Sequence, residues 1–270
     1  MNKTAWEIVQ KARSQNRPTA KMLIDYLFTD FIELHGDRLY HDDKALLCGI
    51  AYFNNTPITV IAIEKGKTTS DKIKTNFGMA HPEGYHKSLR LIKQAEKFKR
   101  PIFFIIDTPG AYPGVGAEER GQAWAISQNL LALSKVKTIT ISLILSEGGS
   151  GGALALALSD QVWMCENAIY SILSPEGFAS ILYKDVNLAK DASSLMKLTA
   201  KDLYEYHLID DIIKEVEGSM DVDPYFTFNI IKEKLQTSLL NLKQIPIDTL
   251  LEKRYQKYRK MGEAYFEEKQ

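Results

Sequence analysis

Two cysteines in 270 residues are too few for a disulfide scaffold, and each of them, Cys48 and Cys165, lies in an apolar stretch. Reduced thiols packed in a core, in a reducing compartment, are the reading that follows. Charge of one sign is also missing. Lys+Arg and Asp+Glu are equal at 34 each, so no overall field draws the chain to nucleic acid or to a membrane surface. No apolar run approaches the ~18 residues needed to span a bilayer. The N-terminal MNKTAWEIVQKARSQ has a polar helical pattern and no apolar signal core. These absences lead to the expectation of a cytoplasmic protein with neither nucleic acid nor membrane as a partner.

Several chemical signatures are lacking too. There is no G-x-x-x-x-G-K-[ST], so no nucleotide P-loop, and no G-x-G-x-x-G after a strand, so no dinucleotide fingerprint. With no C-x-x-C or H-x-x-x-H and five scattered histidines, a zinc site is not expected within this chain. His35 and His41 flank the loop GDRLYHDD, where solvated loop residues are a simpler reading than a metal site. Internal repeats and low-complexity tracts are absent, and only Glu217–Pro224 looks like a linker.

What is present centres on Thr138–Ala157, TITISLILSEGGSGGALALA. Thr138 to Leu145 read as a strand, and Ala153 to Leu158 are apolar on every side, like the start of a buried helix. Between them Gly148, Gly149, Gly151 and Gly152 fill four of five positions around Ser150. A strand that turns on glycines into a helix aims backbone N–H groups at one point, at the positive end of the helix dipole. Glycines in that number imply a site made of main chain, approached too closely to admit a Cβ.

The rest of the chain frames this stretch. Thr4–Ser14 reads as a helix. A second opens at Pro18-Thr19, with Met22, Tyr26, Leu27 and Phe31 at helical spacing up to Gly36. Ala45–Phe53 and Ile58–Glu64 read as a hairpin turning on Asn54-Asn55-Thr56-Pro57 and running into a lysine-rich loop, KGKTTSDKIK. A helix from Pro82 carries Leu91, Ala95 and Phe98 on one face, and Ile102–Ile106 is a wholly apolar strand. The loop DTPGAYPGVGAEERG, a helix Gln122–Ser134 and the central strand follow. Strand, glycine turn and helix, twice over, imply crossover units and a parallel sheet.

Short strands are expected at Gln161–Cys165, Ile169–Leu173 and Ile209–Ile213, with a helix after Ser174-Pro175-Glu176-Gly177 and another from a capping box at Thr199. An amphipathic tail places Leu251, Tyr255, Tyr258, Gly262 and Tyr265 on one stripe, suited to core packing or to a subunit contact. The expected division is N-terminal helices over 1–44, an α/β core over 45–216 and a C-terminal helical segment over 217–270, together one structural domain with appendages.

Both glycine turns fall where α/β sheets place ligand sites, beyond the carboxyl ends of parallel strands. Gly148-x-Ser150-x-Gly152 matches the nucleophile elbow of serine hydrolases. That alternative needs a downstream base, and His207, beside Leu208 and Ile209, reads instead as a partly buried structural histidine. What remains is an oxyanion site without a side-chain nucleophile, suited to stabilising an enolate or ureido anion. One well-placed oxyanion donor is worth roughly 2.7–4 kcal/mol of transition-state stabilisation.

NFGMAHPEGYHKSLRL (Asn76–Leu91), IDTPGAYPGVGAEERGQ (Ile106–Gln122), SEGGSGGALALA (Ser146–Ala157) and SPEGFASILY (Ser174–Tyr183) closely resemble the carboxyltransferase alpha subunits of bacterial acetyl-coenzyme A carboxylase. The resemblance runs from about Trp6 to Tyr258. It implies a crotonase-like (ClpP/crotonase) ββα superhelix, with helices flanking a largely parallel sheet. It also implies a reaction in which a carboxyl group passes from carboxybiotin, on a biotin carboxyl carrier protein, to acetyl-CoA, giving malonyl-CoA for fatty acid biosynthesis. Carboxybiotin and acetyl-CoA would be substrates, with no cofactor bound covalently. The implied partners are a carboxyltransferase beta subunit in an α2β2 assembly, the carrier protein and biotin carboxylase.

Carried over by motif, Gly151 and Gly152 hold the biotin ureido oxygen, with Gly148 and Gly149 shaping the turn and, together with Ser150, contributing to substrate binding. Gly110, Ala111, Tyr112, Pro113 and Gly114 line the same cleft, with Lys65-Gly66 facing it. The ureido nitrogen would accept the acetyl proton, so no protein base is demanded. The zinc ribbon of this enzyme belongs to the beta subunit, and no A/V-M-K-M biotinylation turn is present. A non-catalytic scaffold of the same fold is the remaining alternative.

Overall fold

The computed structural model describes residues 3–263. Helix α1 (Ala5–Ala12) opens on a reciprocal capping box between Thr4 and Glu7. Helix α2 (Ala20–Leu27) is capped by Thr19 and stops at an extended Phe28. The apolar spacing suggested helix as far as Gly36, but Thr29–Glu33 instead forms an edge strand, β1. The reason is tertiary. Strand β1 pairs antiparallel with β2, Glu33 opposite Gly49, and the Phe31 ring lies where a Gly49 Cβ would be, 2.6 Å from that position. Only a glycine admits that ring, and the contact overrides local periodicity.

Strands β2 (Leu46–Phe53) and β3 (Thr56–Ile63) form the expected hairpin in unbroken register, Leu46 opposite Ile63 through Phe53 opposite Thr56. Its loop is only Asn54-Asn55, both at positive φ (46° and 59°), as the twist of a two-residue hairpin demands. Pro57 faces Tyr52, ahead of the first residue of β3 that pairs with the next strand, so its missing N–H costs no ladder bond.

The lysine-rich stretch is not all loop. Residues Thr69–Lys74 form helix α3 on a capping box between Thr68 and Asp71. Helix α4 (Pro82–Lys97) starts on a proline and leads to strand β4 (Ile102–Thr108), buried along its whole length. Phe98, expected on the buried face of α4, caps its end and is 57% exposed. Then come α5 (Val115–Glu119), α6 (Gln122–Lys135), the fully buried strand β5 (Thr140–Gly149) and α7 (Ser150–Ala157). Strands β6 (Gln161–Cys165) and β7 (Ile169–Ser171) are followed by helices α8 (Pro175–Tyr183), α9 (Ala189–Leu195) and α10 (Ala200–Glu205). Strand β8 (Asp211–Ile213) and helices α11 (Pro224–Lys243) and α12 (Ile247–Lys260) complete the described residues.

The sheet runs β1-β2-β3-β4-β5-β6-β8, with β7 against the end of β5. Pairing is antiparallel from β1 to β3 and parallel from β3 onward. One core cluster extends from Ala20 to Leu250, so α2 and α12 both contribute to it. Cys48 and Cys165 are buried free thiols, and burial pushes the Cys48 thiol up to about 12. No helix of the described residues is long and apolar enough to cross a membrane.

Helix α12 packs through a stripe one position away from the one its aromatics suggested. Leu250 and Arg254 face inward and Tyr255 is 60% exposed. Arg254 is buried against Asp160 at 2.7 Å and donates to the carbonyls of Leu133, Val136 and Thr138. Tyr258 bonds Ser159 and Ala157 as expected of a packed residue, while Tyr265 lies outside the described residues.

Candidate functional site

Strands β3, β4 and β5 run parallel and finish at the same edge of the sheet, so their following loops share one space. The loop after β4 and the turn after β5 are packed backbone to backbone. A Cβ on Gly149 would lie 2.0 Å from the Pro109 carbonyl oxygen, and one on Gly152 would lie 2.6 Å from the Ala111 nitrogen and 2.8 Å from the Tyr85 hydroxyl. Gly148 is similarly closed off by the Tyr170 ring at 2.8 Å. Packing thus accounts for three of the four glycines. Gly151 is different, since the nearest atoms to its Cβ position are on Ile126 at 3.7 and 3.8 Å, an ordinary contact.

The turn itself is built by Ser150, an exposed residue at φ 49° that swings the chain from strand into helix. Gly149 occupies the N-cap and has no side chain with which to satisfy the first turn of α7. The N–H groups of Gly151 and Gly152 lie in that first turn, ahead of the intrahelical bonds, and no loop carbonyl or side chain of the described residues takes them. Gly151 is half-buried and Gly152 buried. Beside Ser150 and Gly151 opens a cleft of about 660 Å³, walled largely by apolar side chains that include Leu154, Ile172, Phe178 and Met196. Amides with no protein acceptor, at the positive end of a helix and against an apolar wall, are suited to developing negative charge.

The segment Gly110–Gly114 is held by its own bonds. Thr108 Oγ1 accepts from Gly110 N at 3.0 Å and donates to Gly110 O at 2.7 Å. The Tyr112 N–H donates to Ala80 O, and Gln122 Nε2 donates to the carbonyls of Ala80 and Tyr112. The Tyr112 ring stacks on His81 at 4.1 Å and covers Gly114, while Pro113 is exposed. Gly66, at φ 81°, turns the chain into α3 with no room for a Cβ against the Asp71 backbone.

Lys65 turns toward the sheet edge. Its ammonium lies 2.9 Å from Asp107 and 2.5 Å from Glu147, at the carboxyl ends of β4 and β5. Burial works against the charges of Lys65 and Glu147, but the ion pairs outweigh it: the lysine is raised and the glutamate, which also meets Arg13, is lowered. At Asp107 burial prevails over Lys65 and the carboxyl is raised.

Sequence reasoning passed over Arg13, Arg17, Asp107 and Glu147. A signal existed for the two acids, each a single charge at the end of an otherwise apolar strand (IFFIID, ISLILSE). No local signal marks the arginines, whose partners lie 128 to 202 residues away.

The hydrolase reading fails on geometry. Ser150 has the left-handed backbone of an elbow, but the polar partners of the His35, His81 and His86 rings are Asp42 and Glu33, Asn76 and Asp43, and Asp37. His207, expected to be partly buried, is exposed just beyond α10 because its backbone leaves the helix at φ 57°. In the loop around His41, the Asp37 carboxylate accepts the N–H groups of Leu39, Tyr40 and His41. Among the described residues no group of three His, Cys, Asp or Glu could hold a metal ion.

Comparison with known proteins adds independent findings. A family model described as "Acetyl co-enzyme A carboxylase carboxyltransferase-like" matches residues 1–262. The chain is 54% identical over 257 residues to the acetyl-coenzyme A carboxylase carboxyl transferase subunit alpha of Clostridium botulinum (strain Eklund 17B / Type B), covering 95% of this chain and 94% of that one. It is 56% identical over 255 residues to the same subunit of Clostridium perfringens (strain ATCC 13124), covering 94% of each. Among solved structures it is similar to transcarboxylase 12S with methylmalonyl-coenzyme A and methylmalonic acid bound, at TM-score 0.71 and 16% identity. That match covers 89% of this chain and 45% of the transcarboxylase chain. A Pseudomonas malonate decarboxylase MdcD-MdcE heterodimer matches at TM-score 0.61 and 14% identity, over 79% of this chain and 84% of that one. Identities this low speak to the fold, an α/β arrangement of the crotonase-like carboxyltransferases.

Proposed function

Because this chain belongs to the family of acetyl-CoA carboxylase carboxyltransferase alpha subunits, we propose that the Gly151 and Gly152 amides are its oxyanion site for the biotin ureido oxygen. The subunit is one part of a carboxyltransferase that works with a beta subunit and moves a carboxyl group from carboxybiotin to acetyl-CoA, forming malonyl-CoA for fatty acid biosynthesis. Departure of the carboxyl group leaves negative charge on the ureido system. Two fixed N–H donors at the head of α7 meet that charge without reorganisation. The acetyl methyl loses its proton to the ureido nitrogen as its carbon takes up the carboxyl group, so the chain need supply no side-chain base.

The observation that carries this reading is the pair of first-turn amides, Gly151 and Gly152, which no loop carbonyl or side chain of the described residues accepts from and which open at Gly151 on the apolar cleft. That cleft would receive the ring system and its methylene arm, with Gly110, Ala111, Tyr112, Pro113 and Gly114 forming the adjoining wall. Gly148 and Gly149 keep the turn tight enough for the amides to converge. Lys65 and Gly66 support the same edge of the sheet, the lysine from behind through Asp107 and Glu147. The carrier protein would deliver carboxybiotin after biotin carboxylase has charged it, to an α2β2 assembly in the cytoplasm, where Cys48 and Cys165 stay reduced.

Mixing the chain with a beta subunit tests this. Transfer from malonyl-CoA to biotin should appear in the mixture and in neither subunit alone. Robust turnover by the lone chain, or a stable mixture with none, would refute the reading.

A further inference from the structure

We propose that the segment joining α1 to α2, residues 13–17, is a strap that fixes the position of the glycine turn, with Arg13 and Arg17 as positioning residues for carboxyl transfer. The end of β5 needs such a device. Pairing with β4 slips between Ile106, opposite Ile144, and Thr108, opposite Gly148. On the other side β6 pairs only as far as Ile144, and β7 begins at Glu147. Leu145 and Ser146 therefore lie in a gap with no cross-strand partner on either side, three residues or fewer before the turn that carries the amides.

The strap fills that gap. Arg17, buried, donates from Nη2 to Leu145 O and from Nε to Ser146 Oγ, each at 2.8 Å, and is itself gripped by Glu215 at 2.7 and 3.0 Å. Four residues earlier, Arg13 Nε donates to Glu147 at 2.9 Å, and its Nη1 reaches Glu176 at 2.7 Å. Three consecutive residues of β5, ending beside Gly148, are thus held by two side chains from one short segment. Lys67 Nζ anchors the segment from the opposite side through the carbonyls of Gln15 and Asn16, both at 3.2 Å. Lys65 holds the second oxygen of Glu147, and Asp107 accepts the Glu147 N–H at 3.1 Å.

A purely stabilising role does not call for this arrangement, because buried ion pairs are a costly way to secure a sheet edge. They do secure a unique geometry. Through Glu176, in the first turn of α8, Arg13 also ties the turn to the helix whose Phe178 stands in the wall of the cleft. The strap therefore sets both where the amides point and how far they stand from the facing wall. This inference rests on the proposed role of Gly151 and Gly152.

The test uses the reconstituted complex of alpha and beta subunits. Arg13 and Glu176 are each about one-third exposed (33% and 35%), so both can be altered without stranding a charge in the core. Arg13→Gln should lower kcat about tenfold, with KM for acetyl-CoA and beta-subunit affinity changed less than twofold. Arg13→Lys, which can reach one carboxylate but not fork across two, should recover part of the rate. Glu176→Gln should lower kcat about threefold, and the double variant should be no slower than Arg13→Gln alone, as members of one linkage behave. If Arg13→Gln fails to fold, Arg13→Lys and Glu176→Gln decide by the same kcat and KM readouts. Wild-type kcat in the folded variants, or losses that multiply in the double variant, would overturn the strap. If these variants behave as stated while loss of the Gly151 amide has no effect, the oxyanion assignment falls instead.

Discussion

Replacing Gly151 by proline removes one N–H from the turn and also crowds Ser150, which precedes it at φ 49°, outside the extended region that a following proline favours. Position 151 is the second residue of α7, where no intrahelical bond uses the amide and where proline is tolerated. The Cβ has ordinary contacts only, Ile126 at 3.7 and 3.8 Å. Gly151→Ala adds that carbon and keeps the donor, so it reports the steric part alone. If the amide meets charge developing on the ureido oxygen, its loss should cost roughly 2.7–4 kcal/mol of transition-state stabilisation, a fall in kcat on the order of 100- to 1,000-fold. The assay is carboxyl transfer by the reconstituted complex, with thermal unfolding and beta-subunit binding measured alongside. Gly151→Pro should fall at least thirtyfold below Gly151→Ala when both are assayed well below their measured Tm, where each is folded and binds the beta subunit. A proline variant within threefold of the alanine variant would mean that the amide meets no charge in the transition state.

Gly149→Ala should behave in the opposite way. Its methyl would meet the Pro109 carbonyl at 2.0 Å, backbone against backbone, so a loss of about 3 kcal/mol or more in chemical denaturation is expected; a change under 0.5 would contradict the close approach of the two loops. Arg254→Met leaves Asp160 buried without its partner and should cost about 3–5 kcal/mol, read from the urea midpoint, with Asp160→Asn in the same background recovering part of it. Burial opposes the charge of Asp42, but Lys87 and the Gly36 N–H outweigh it and hold the carboxyl at about 2. Its contribution, up to about 1 kcal/mol after solvent screening, is complete above the unfolded value near pH 4 and is lost as pH falls through 2. Lys87→Met should therefore flatten the dependence of Tm on pH between about 4 and 2, and an unchanged slope would exclude that pair as its source. A fluorophosphonate probe should leave Ser150 unlabelled, since no histidine stands ready to activate it.

The features legible in the sequence were those that local chemistry dictates. Strand β5 and its glycine turn follow from an apolar run broken by four glycines. The β2–β3 hairpin follows from Asn54-Asn55, which tolerate the positive φ that the turn requires. Helices α1, α3 and α10 all open on capping boxes, of which the Thr199 box figures among the expectations above. What escaped depends on distant partners. Phe31 sits at helical spacing from Tyr26 and Leu27, and only the space above Gly49, in another strand, makes it part of β1. In α12 the aromatic residues drew attention to the Tyr255 face, while the buried side chain is Arg254, whose polar partners at residues 133–160 no periodicity announces. At the site, the glycines were visible and their supports were not. Arg13 and Arg17 look like ordinary surface cations until the fold carries β5 beneath them.

Arg17, near the start of the chain, and Arg254, near its end, grip opposite ends of the same central stretch: Leu145 O and Ser146 at one, the Thr138 carbonyl at the other. During synthesis the ribosome must release about 250 residues before the second clasp can form. Until then Asp160 and three backbone carbonyls wait without their donor. The sheet can gather before that, but the final locking of β5, and with it a competent turn, waits on the emergence of α12.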